Sequence, residues 1–326
     1  MALIGPDVPP GWVALQRIGA LGRPRGIIGA VSTMYGGVET GGTWCDCALG
    51  TGPHDLRVHE RFPTGSPGET LERIVAFFRS HRDLPAAAIG IGSFGPVDAN
   101  PRSATWGHVT TTPKPGWQGT PVGTFIRDQL GLPVGFDTDV SAAALGEHRW
   151  GAGSGLASLC YLTVGTGIGA GLVIEGEPVR GLVHPEVGHI RIPLLDSFAG
   201  ICPVHGNCWE GVACGPALAA RWQRPPEELP DEHPAWPMEA EYLALGILSI
   251  VLVASPERVI VGGGVMERRG LLPMVRERLQ ALNAGYLDTP RLGQGIGEYL
   301  VAPALGDTAG ALGALVLAER AAIAAC

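Results

Sequence analysis

The chain has 326 residues, a length that suits two domains of ordinary size. Its 45% apolar and 17% charged residues argue against wholesale disorder. The formal net charge of −8, without a run of Lys and Arg, argues against a broad nucleic-acid interface. The longest apolar stretch, 243–254, is too short to span a membrane and predicts a buried helix.

Residues 1–33 are rich in Gly and Pro and show no sustained periodicity. They lack the charged, apolar and cleavage regions of a signal peptide. Met34 directly precedes the first convincing strand. We therefore expect a poorly ordered leader, with Met34 as the natural start, and the intact mass of the protein from its native host would test this.

Strands and helices alternate through the first half of the chain. Strands are predicted at 35–38, 44–49, 86–91 and 134–136, and helices at 69–81, 120–130 and 141–150. Thr120, just before a Pro, is the expected cap of the second helix. This alternation predicts a layered α/β fold.

The pattern restarts after the glycine-rich stretch 151–155. We predict strands at 157–164, 170–174 and 258–261, a long apolar helix at 242–254, and an Ala-rich helix from Thr308. The segments VETGGTWCDCALG and LTVGTGIGAGLVI both read as strand, glycine turn, strand. We interpret them as an internal duplication whose two halves face each other across a cleft.

Three glycine turns follow predicted strands: Gly41-Gly42-Thr43, Gly165 to Gly169 around Thr166, and Gly262-Gly263-Gly264. Glycine lets backbone N–H groups approach a phosphate, and Thr adds a hydroxyl donor. One such turn is more often a simple hairpin, but three at strand ends favour a nucleotide cleft. The Walker motif is missing from the sequence, and no G-x-G-x-x-G opens a helix that is followed by a suitable acidic residue, so a Rossmann fold is a poor interpretation.

Seven cysteines, an odd number, make a disulfide framework a poor interpretation. His189, Cys202, His205 and Cys208 form the pattern H-x12-C-x2-H-x2-C. Thiolate and imidazole are ligands that Zn²⁺ prefers, and four of them close a structural site. The alternative is that these are ordinary loop residues.

Acidic side chains supply candidate acid–base groups. Asp139 follows a strand, where α/β sheets place ligands, and could take the proton of a substrate hydroxyl. The alternative is that Asp139 only caps a helix. Glu186, His189 and Glu210 could bind sugar hydroxyls, or the two glutamates could be surface charges.

Together these residues resemble the ROK family of sugar kinases, and within it the bacterial fructokinase branch. The stretches that carry the resemblance are GGVETGGT, GSFGPVD, TTTPKPGW, DTDVSAAALGE, TVGTGIGAGLVIEGEPVRG, HPEVGHI, CPVHGNCWEGVACGPAL, VIVGGGV and GDTAGALGA. The His between two Cys in the zinc loop, and TPKPGW, look like fructokinase rather than glucokinase.

The resemblance implies an actin-like ATPase (ribonuclease H-like) duplicated fold, α/β in class, with two domains around a cleft. It places residues 34–147 and 308–326 in the first lobe and 148–307, with the zinc loop, in the second. It implies ATP as co-substrate with Mg²⁺, a structural Zn²⁺, and phosphorylation of the 6-hydroxyl of a hexose, with D-fructose the first candidate. Mannose, glucose, and a catalytically impaired or regulatory protein remain alternatives.

The resemblance also assigns roles residue by residue. Asp139 matches the catalytic base. Sugar contacts are implied for Glu186, His189, Glu210 and Ser141, and nucleotide contacts for Gly41, Gly42, Thr43, Thr166, Pro216, Gly262, Gly263 and Gly264. The zinc ligands are His189, Cys202, His205 and Cys208.

Three positions depart from the family pattern. Trp44 stands where Lys is usual, Ser141 where Asn is usual, and Glu39 where Asp is common. We expect a cytoplasmic protein and a possible homodimer, with no nucleic-acid or membrane partner. A DNA-binding regulator is disfavoured because residues 1–33 are too few and wrongly patterned for a helix-turn-helix.

Overall fold

The computed structural model describes residues 33–326, and the expectations for the leader therefore lie, apart from Thr33, outside the described residues. All seven cysteines fall in the described part and are free thiols, six of them buried.

The first sheet is built from five strands in the order β3-β2-β1-β4-β5. These strands are β1 (Tyr35–Thr40), β2 (Trp44–Gly52), β3 (Asp55–Pro63), β4 (Ile89–Ser93) and β5 (Val134–Thr138). The first three strands pair antiparallel, whereas β4 lies parallel to both β1 and β5.

The second sheet repeats this arrangement, in the order β10-β9-β6-β7-β8. Its strands are β6 (Ser158–Val164), β7 (Ile168–Ile174), β8 (Glu177–Pro178), β9 (Val259–Gly262) and β10 (Leu300–Val301). Again the first three pair antiparallel, and β9 lies parallel to β6 and β10. The matching order and directions confirm a duplicated α/β fold.

Helices cover the sheets, and nine are found within residues 33–326. They are α1 (Pro67–Ser80), α2 (Val122–Leu130), α3 (Asp139–Trp150), α4 (Trp209–Ala213), α5 (Gly215–Trp222), α6 (Ala235–Ala254), α7 (Leu271–Asn283), α8 (Ile296–Tyr299) and α9 (Ala309–Ala324). One apolar core joins the first sheet to α1 and α2, and another joins the second sheet to α4 through α7.

Helices α3 and α9 share a third apolar core with β6, β7 and β9, and α9 also packs on β1, β4 and β5. Small residues make this close approach possible. A Cβ added at Gly90 of β4 would lie 1.7 Å from the Ala314 carbonyl oxygen of α9, and one at Gly313 would lie 1.6 Å from that of Ala142 of α3. The last helix of the chain therefore returns to the first sheet.

Glu147 ties together the two chain segments that pass between the halves. Its side chain is completely buried. It accepts hydrogen bonds from the backbone N–H groups of Ala152, Ala304 and Leu305. Since one segment leaves the first half and the other returns to it, this carboxylate braces both crossings.

Several boundaries lie two or more residues from the predicted ones, and for α2 and β4 the reason is local. Helix α2 begins at Val122, and the expected cap, Thr120, uses its carbonyl oxygen to accept from Val109 and Val122. Strand β4 starts at Ile89, where pairing with Val134 of β5 begins, rather than at residue 86.

Helix α6 begins at Ala235 rather than Tyr242, because a Pro in the first turn is compatible with helix. By length and composition alone α6 could cross a membrane, but half of its most apolar window is buried inside the protein. It packs against α4 and α7, as expected of a core helix.

Candidate active site

Asp139 lies at the carboxyl end of β5, as the first residue of α3. The cap of this helix is Thr138, whose side chain accepts from the Ser141 N–H at 3.1 Å, so the reading of Asp139 as the cap is wrong. Asp139 Oδ1 accepts from the Val140 N–H at 2.8 Å. Burial raises the pKa of Asp139 to about 6, partly opposed by this hydrogen bond. A carboxyl of that pKa is ionised at neutral pH and suits a general base.

Glu39, at the end of β1, faces the start of α9. Its carboxyl lies so close to Gly310 that an added Cβ there would come within 2.1 Å. Burial, followed by the charges of Asp139 and Asp46, raises the pKa of Glu39 to about 8. Asp46 is already paired with His59 at 2.7 Å. Two neighbouring carboxyls, Glu39 and Asp139, are hard oxygen donors of the kind that Mg²⁺ prefers.

Glu186 and Glu210 reach the same region from the second half. Glu210 Oε2 accepts from the Ile168 N–H at 2.9 Å, beside Gly167, where an added Cβ would lie 2.5 Å from that oxygen. Partial burial, then the charges of Glu210 and Asp139, raises the pKa of Glu186 to about 7. The charges of Glu210 and Asp139 act on Glu186, so these three carboxyls lie near one another, and carboxyls of this kind can bind hydroxyl groups.

Ser141 is buried, and its Oγ accepts from the Thr138 hydroxyl at 2.8 Å. Its hydroxyl is therefore engaged in the start of α3, and its role in sugar binding stays a prediction.

The four predicted zinc ligands converge. Their ligand atoms all lie within 4.8 Å of one another. His189 Nδ1 is 3.3 Å from His205 Nδ1, 3.8 Å from Cys202 Sγ and 3.5 Å from Cys208 Sγ. A tetrahedral Zn²⁺ with these donors has ligand-to-ligand edges of roughly 3.3–3.8 Å. The donor set and its spacing fit Zn²⁺.

The carbonyl oxygens of the first glycine turn, Gly41 to Thr43, accept hydrogen bonds from residues outside the turn. The Thr64 hydroxyl donates to the Gly41 carbonyl at 2.8 Å, and the Thr64 N–H donates to that of Thr43 at 2.9 Å. Lys114 Nζ donates to the Gly42 carbonyl at 2.5 Å. In a trans peptide the N–H points opposite to the carbonyl, so the Thr43 N–H is directed away from Lys114.

The second and third glycine turns lie side by side. The Gly165 carbonyl accepts from the Gly215 N–H at 2.8 Å, which brings Pro216 to this turn. Gly263 has φ +92°, and a Cβ added there would lie 2.5 Å from the Val164 carbonyl oxygen, so a larger residue is excluded. Thr166, in the second turn, is exposed. The structure thus groups Thr166, Pro216 and Gly262 to Gly264 on the second half, while Gly41 to Thr43 lie on the first.

Sequence reasoning missed several residues in this region. Lys114 lies in the TPKPGW stretch, and the family resemblance assigned no role to this Lys. Asp137 and Arg180 form an ion pair, and His184 bonds the Val97 backbone. The only signal for these residues in the sequence was a charged or polar side chain inside a motif, because the groups that they contact are far away in the chain.

Comparisons with known proteins agree with this architecture. The ROK family pattern matches residues 35–321. Fructokinase from Zymomonas mobilis is 42% identical over 295 residues, covering 87% of this chain and 96% of the relative, and fructokinase from Pediococcus pentosaceus is 38% identical, covering 88% and 98%.

Solved structures show the same fold. The ROK hexokinase from Thermus thermophilus superposes with a TM-score of 0.70 at 28% identity, covering 88% of this chain and 98% of that one. A ROK glucokinase from Streptomyces griseus, solved with glucose and AMPPNP, gives a TM-score of 0.70 at 26% identity, covering 88% and 99%. The actin-like ATPase fold is thereby confirmed, and the chain belongs to the ROK family.

Proposed function

We propose that this chain is an ATP-dependent hexose kinase that transfers the terminal phosphoryl group of ATP to the 6-hydroxyl of D-fructose. The two fructokinase relatives, at 42% and 38% identity, support fructose over glucose, since the hexokinase and glucokinase structures are less similar, at 28% and 26% identity. The observation that carries the proposal is the carboxyl of Asp139, with its pKa raised to about 6, at the strand ends beside Glu39 and Glu186.

In this proposal Asp139 orients the sugar 6-hydroxyl and takes its proton late in the transfer. Phosphoryl transfer depends mainly on positioning and charge neutralisation, so a single well-placed base suffices. Glu186, His189 and Glu210 hold the other sugar hydroxyls. The hydrogen bond from Ile168 to Glu210 fixes that carboxylate beside the glycine turn.

The nucleotide lies on the glycine turns. Gly41, Gly42 and Thr43 contact the phosphates from the first half, and Thr166, Pro216 and the Gly262 to Gly264 turn contact the nucleotide from the second. Mg²⁺ would neutralise phosphate charge when bound, and Glu39 and Asp139 would hold it. Because the pKa of Glu39 is about 8 without the ion, Mg²⁺ binding would release the proton of this carboxyl. Among residues 33–326, the N–H groups of Gly42 and Thr43 find no acceptor, which leaves them able to donate to a phosphate.

We further propose that Zn²⁺ is held by His189, Cys202, His205 and Cys208. Four protein ligands leave no position for an activated water, so the ion is structural. It would fix the loop that joins Glu186 to Glu210.

The lobes are proposed as residues 34–147 with 308–326, and 148–307. The packing of α9 on β1, β4 and β5, and the position of Glu147 at both crossings, support these boundaries. Free thiols at all seven cysteines are typical of a reducing compartment and support a cytoplasmic location. A homodimer is the proposed assembly, and light scattering would test it.

The deciding experiment is an ATP-consumption assay of the wild type and Asp139→Asn across fructose, mannose and glucose. We expect the highest kcat/KM for fructose, and a kcat lower by roughly 10²–10⁴-fold in the variant. Asp83→Asn, at an exposed position, is the matched control. A wild type without turnover on any hexose would refute the proposal, and full activity in Asp139→Asn would remove Asp139 from the role.

A further inference from the structure

The segment 179–189, here called the strap, leads from β8 to the zinc ligand His189 and carries Glu186. It belongs by chain order to the second half, yet two of its side chains bind the first half. The strap therefore connects the two halves directly at the sugar-binding region.

The first attachment is an ion pair at the end of β5. Arg180 Nε and Nη2 lie 3.0 Å and 2.5 Å from Oδ2 of Asp137. Asp137 is completely buried, and its other oxygen accepts from the Thr138 N–H at 2.7 Å. Because a buried carboxylate needs its partner, this pair fixes the strap two residues from Asp139.

The second attachment is made by His184, whose side chain is buried. Its Nε2 accepts from the Val97 N–H at 3.0 Å, and its ring packs over Gly95, both in the loop after β4. Since Nε2 accepts, the proton of the neutral ring is on Nδ1, and Nδ1 lies 3.4 Å from Glu186 Oε1. His184 thus links the first half to the carboxylate of Glu186.

We propose that Arg180 and His184 are positioning residues that hold the sugar-binding carboxylate Glu186 to the first half, in fixed relation to Asp139. The two attachment points lie at the ends of neighbouring strands, β4 and β5, of the sheet that also carries Asp139. Sugar binding then depends on contacts of the strap to the first half, whereas nucleotide binding, through the glycine turns, does not. This inference rests on the proposed function for its kinetic consequence but not for the attachment itself.

The kinetic test uses Arg180→Ala and His184→Leu. Misplacing a binding group by a fraction of an ångström to 1 Å can cost up to about 100-fold, so we expect KM for fructose to rise about tenfold or more. KM for ATP and the zinc content should stay near the wild-type values. Arg180→Lys, which keeps the charge, and His184→Gln, which keeps an acceptor for Val97, should lose less.

Arg320→Ala is the matched control. Arg320 on α9 also bridges the halves, donating to Glu177 at 2.7 Å and to the Gly176 carbonyl at 2.8 Å. The Arg320 side chain is 35% exposed, close to the 39% of Arg180. Its partner Glu177, however, is exposed, whereas Asp137, the partner of Arg180, is buried. Its loss should leave KM for fructose unchanged.

Because Arg180→Ala leaves Asp137 buried without a partner, the double variant Asp137→Asn with Arg180→Ala removes both charges and keeps the test available if the single variant does not fold. The proposal is overturned if folded, zinc-loaded variants keep the wild-type KM for fructose, or if KM for fructose and ATP rise equally.

Hydrogen exchange tests the attachment without reference to catalysis. The backbone amides of the strap should exchange faster than in the wild type in Arg180→Ala and His184→Leu, and the Val97 amide should also exchange faster in His184→Leu. Arg320→Ala should show neither change. If the strap variants show this faster exchange but the wild type does not phosphorylate fructose, the proposed function is refuted and the strap is not. Unchanged exchange refutes the strap.

Discussion

The two halves of the chain share one strand order but differ in what lies between their strands. In the first half, the 25 residues from 64 to 88 join β3 to β4 and hold one helix, α1, and the strand ends carry Glu39 and Asp139. In the second half, the matching connection from β8 to β9 has 80 residues, 179 to 258, and holds the strap, the proposed zinc ligands and three helices. The duplicated sheet therefore supplies the positions, and the insertion of the second half supplies the groups proposed to contact the sugar.

The largest effect is expected where the two halves are joined. Glu147→Ala leaves the N–H groups of Ala152, Ala304 and Leu305 without their acceptor. Each unsatisfied buried group costs about 1–3 kcal/mol, so the free energy of unfolding should fall by roughly 3–5 kcal/mol in urea titrations. Glu147→Gln, which keeps one oxygen acceptor, should lose less. Equal stability of Glu147→Ala and the wild type would show that the crossings are held elsewhere.

The zinc loop distinguishes the second half most clearly. Cys202→Ala removes one of four ligands, so the variant should lose zinc and thermal stability together, because metal binding contributes folding free energy. Metal analysis and a melting curve measure both. Cys160→Ala, at a buried thiol outside the cluster, controls for the loss of a cysteine. Undiminished zinc in Cys202→Ala would exclude the cluster.

The pH dependence probes the first half. Since burial raises the pKa of Asp139 to about 6, the base becomes protonated as the pH falls through about 6. Below that pH, kcat/KM should drop about tenfold per unit, after correction for the protonation of ATP. A profile that stays flat down to pH 4.5 would mean that no group of this pKa acts in catalysis.

The smallest effect is expected at Lys114, which donates a hydrogen bond to the first glycine turn. Lys114→Ala removes a charged hydrogen bond to the Gly42 carbonyl. The peptide between Gly42 and Thr43 is then free to rotate, so the Thr43 N–H is no longer held in its direction. Because the side chain is partly exposed, we expect KM for ATP to rise only about three- to tenfold. Lys114→Arg should restore most of the affinity. A rise in KM for fructose alone would place Lys114 on the sugar side instead.

Much of the fold could be predicted from the sequence, because apolar strands and glycine turns are local signals. Strand β3 was missed, since its edge position leaves alternate residues such as Arg57, His59 and Arg61 exposed and its pattern polar. Helix α7 was also missed, because its several charged residues and a Pro interrupt the apolar pattern of this amphipathic helix. The cluster proposed to bind zinc could be predicted because three of its residues lie within seven positions of the chain.

The partners of the site residues could not be predicted in the same way. Arg180 meets Asp137, and Lys114 meets Gly42, across 43 and 72 positions of the chain. Such contacts depend on tertiary packing, which a single sequence does not encode locally.

The most direct test is a crystal structure of the protein with D-fructose and AMPPNP bound. The account predicts a carboxyl oxygen of Asp139 within about 2.6–3.2 Å of the sugar 6-hydroxyl, with the terminal phosphorus on the opposite side of that hydroxyl. A sugar bound elsewhere, or an Asp139 carboxyl turned away from the 6-hydroxyl, would contradict it.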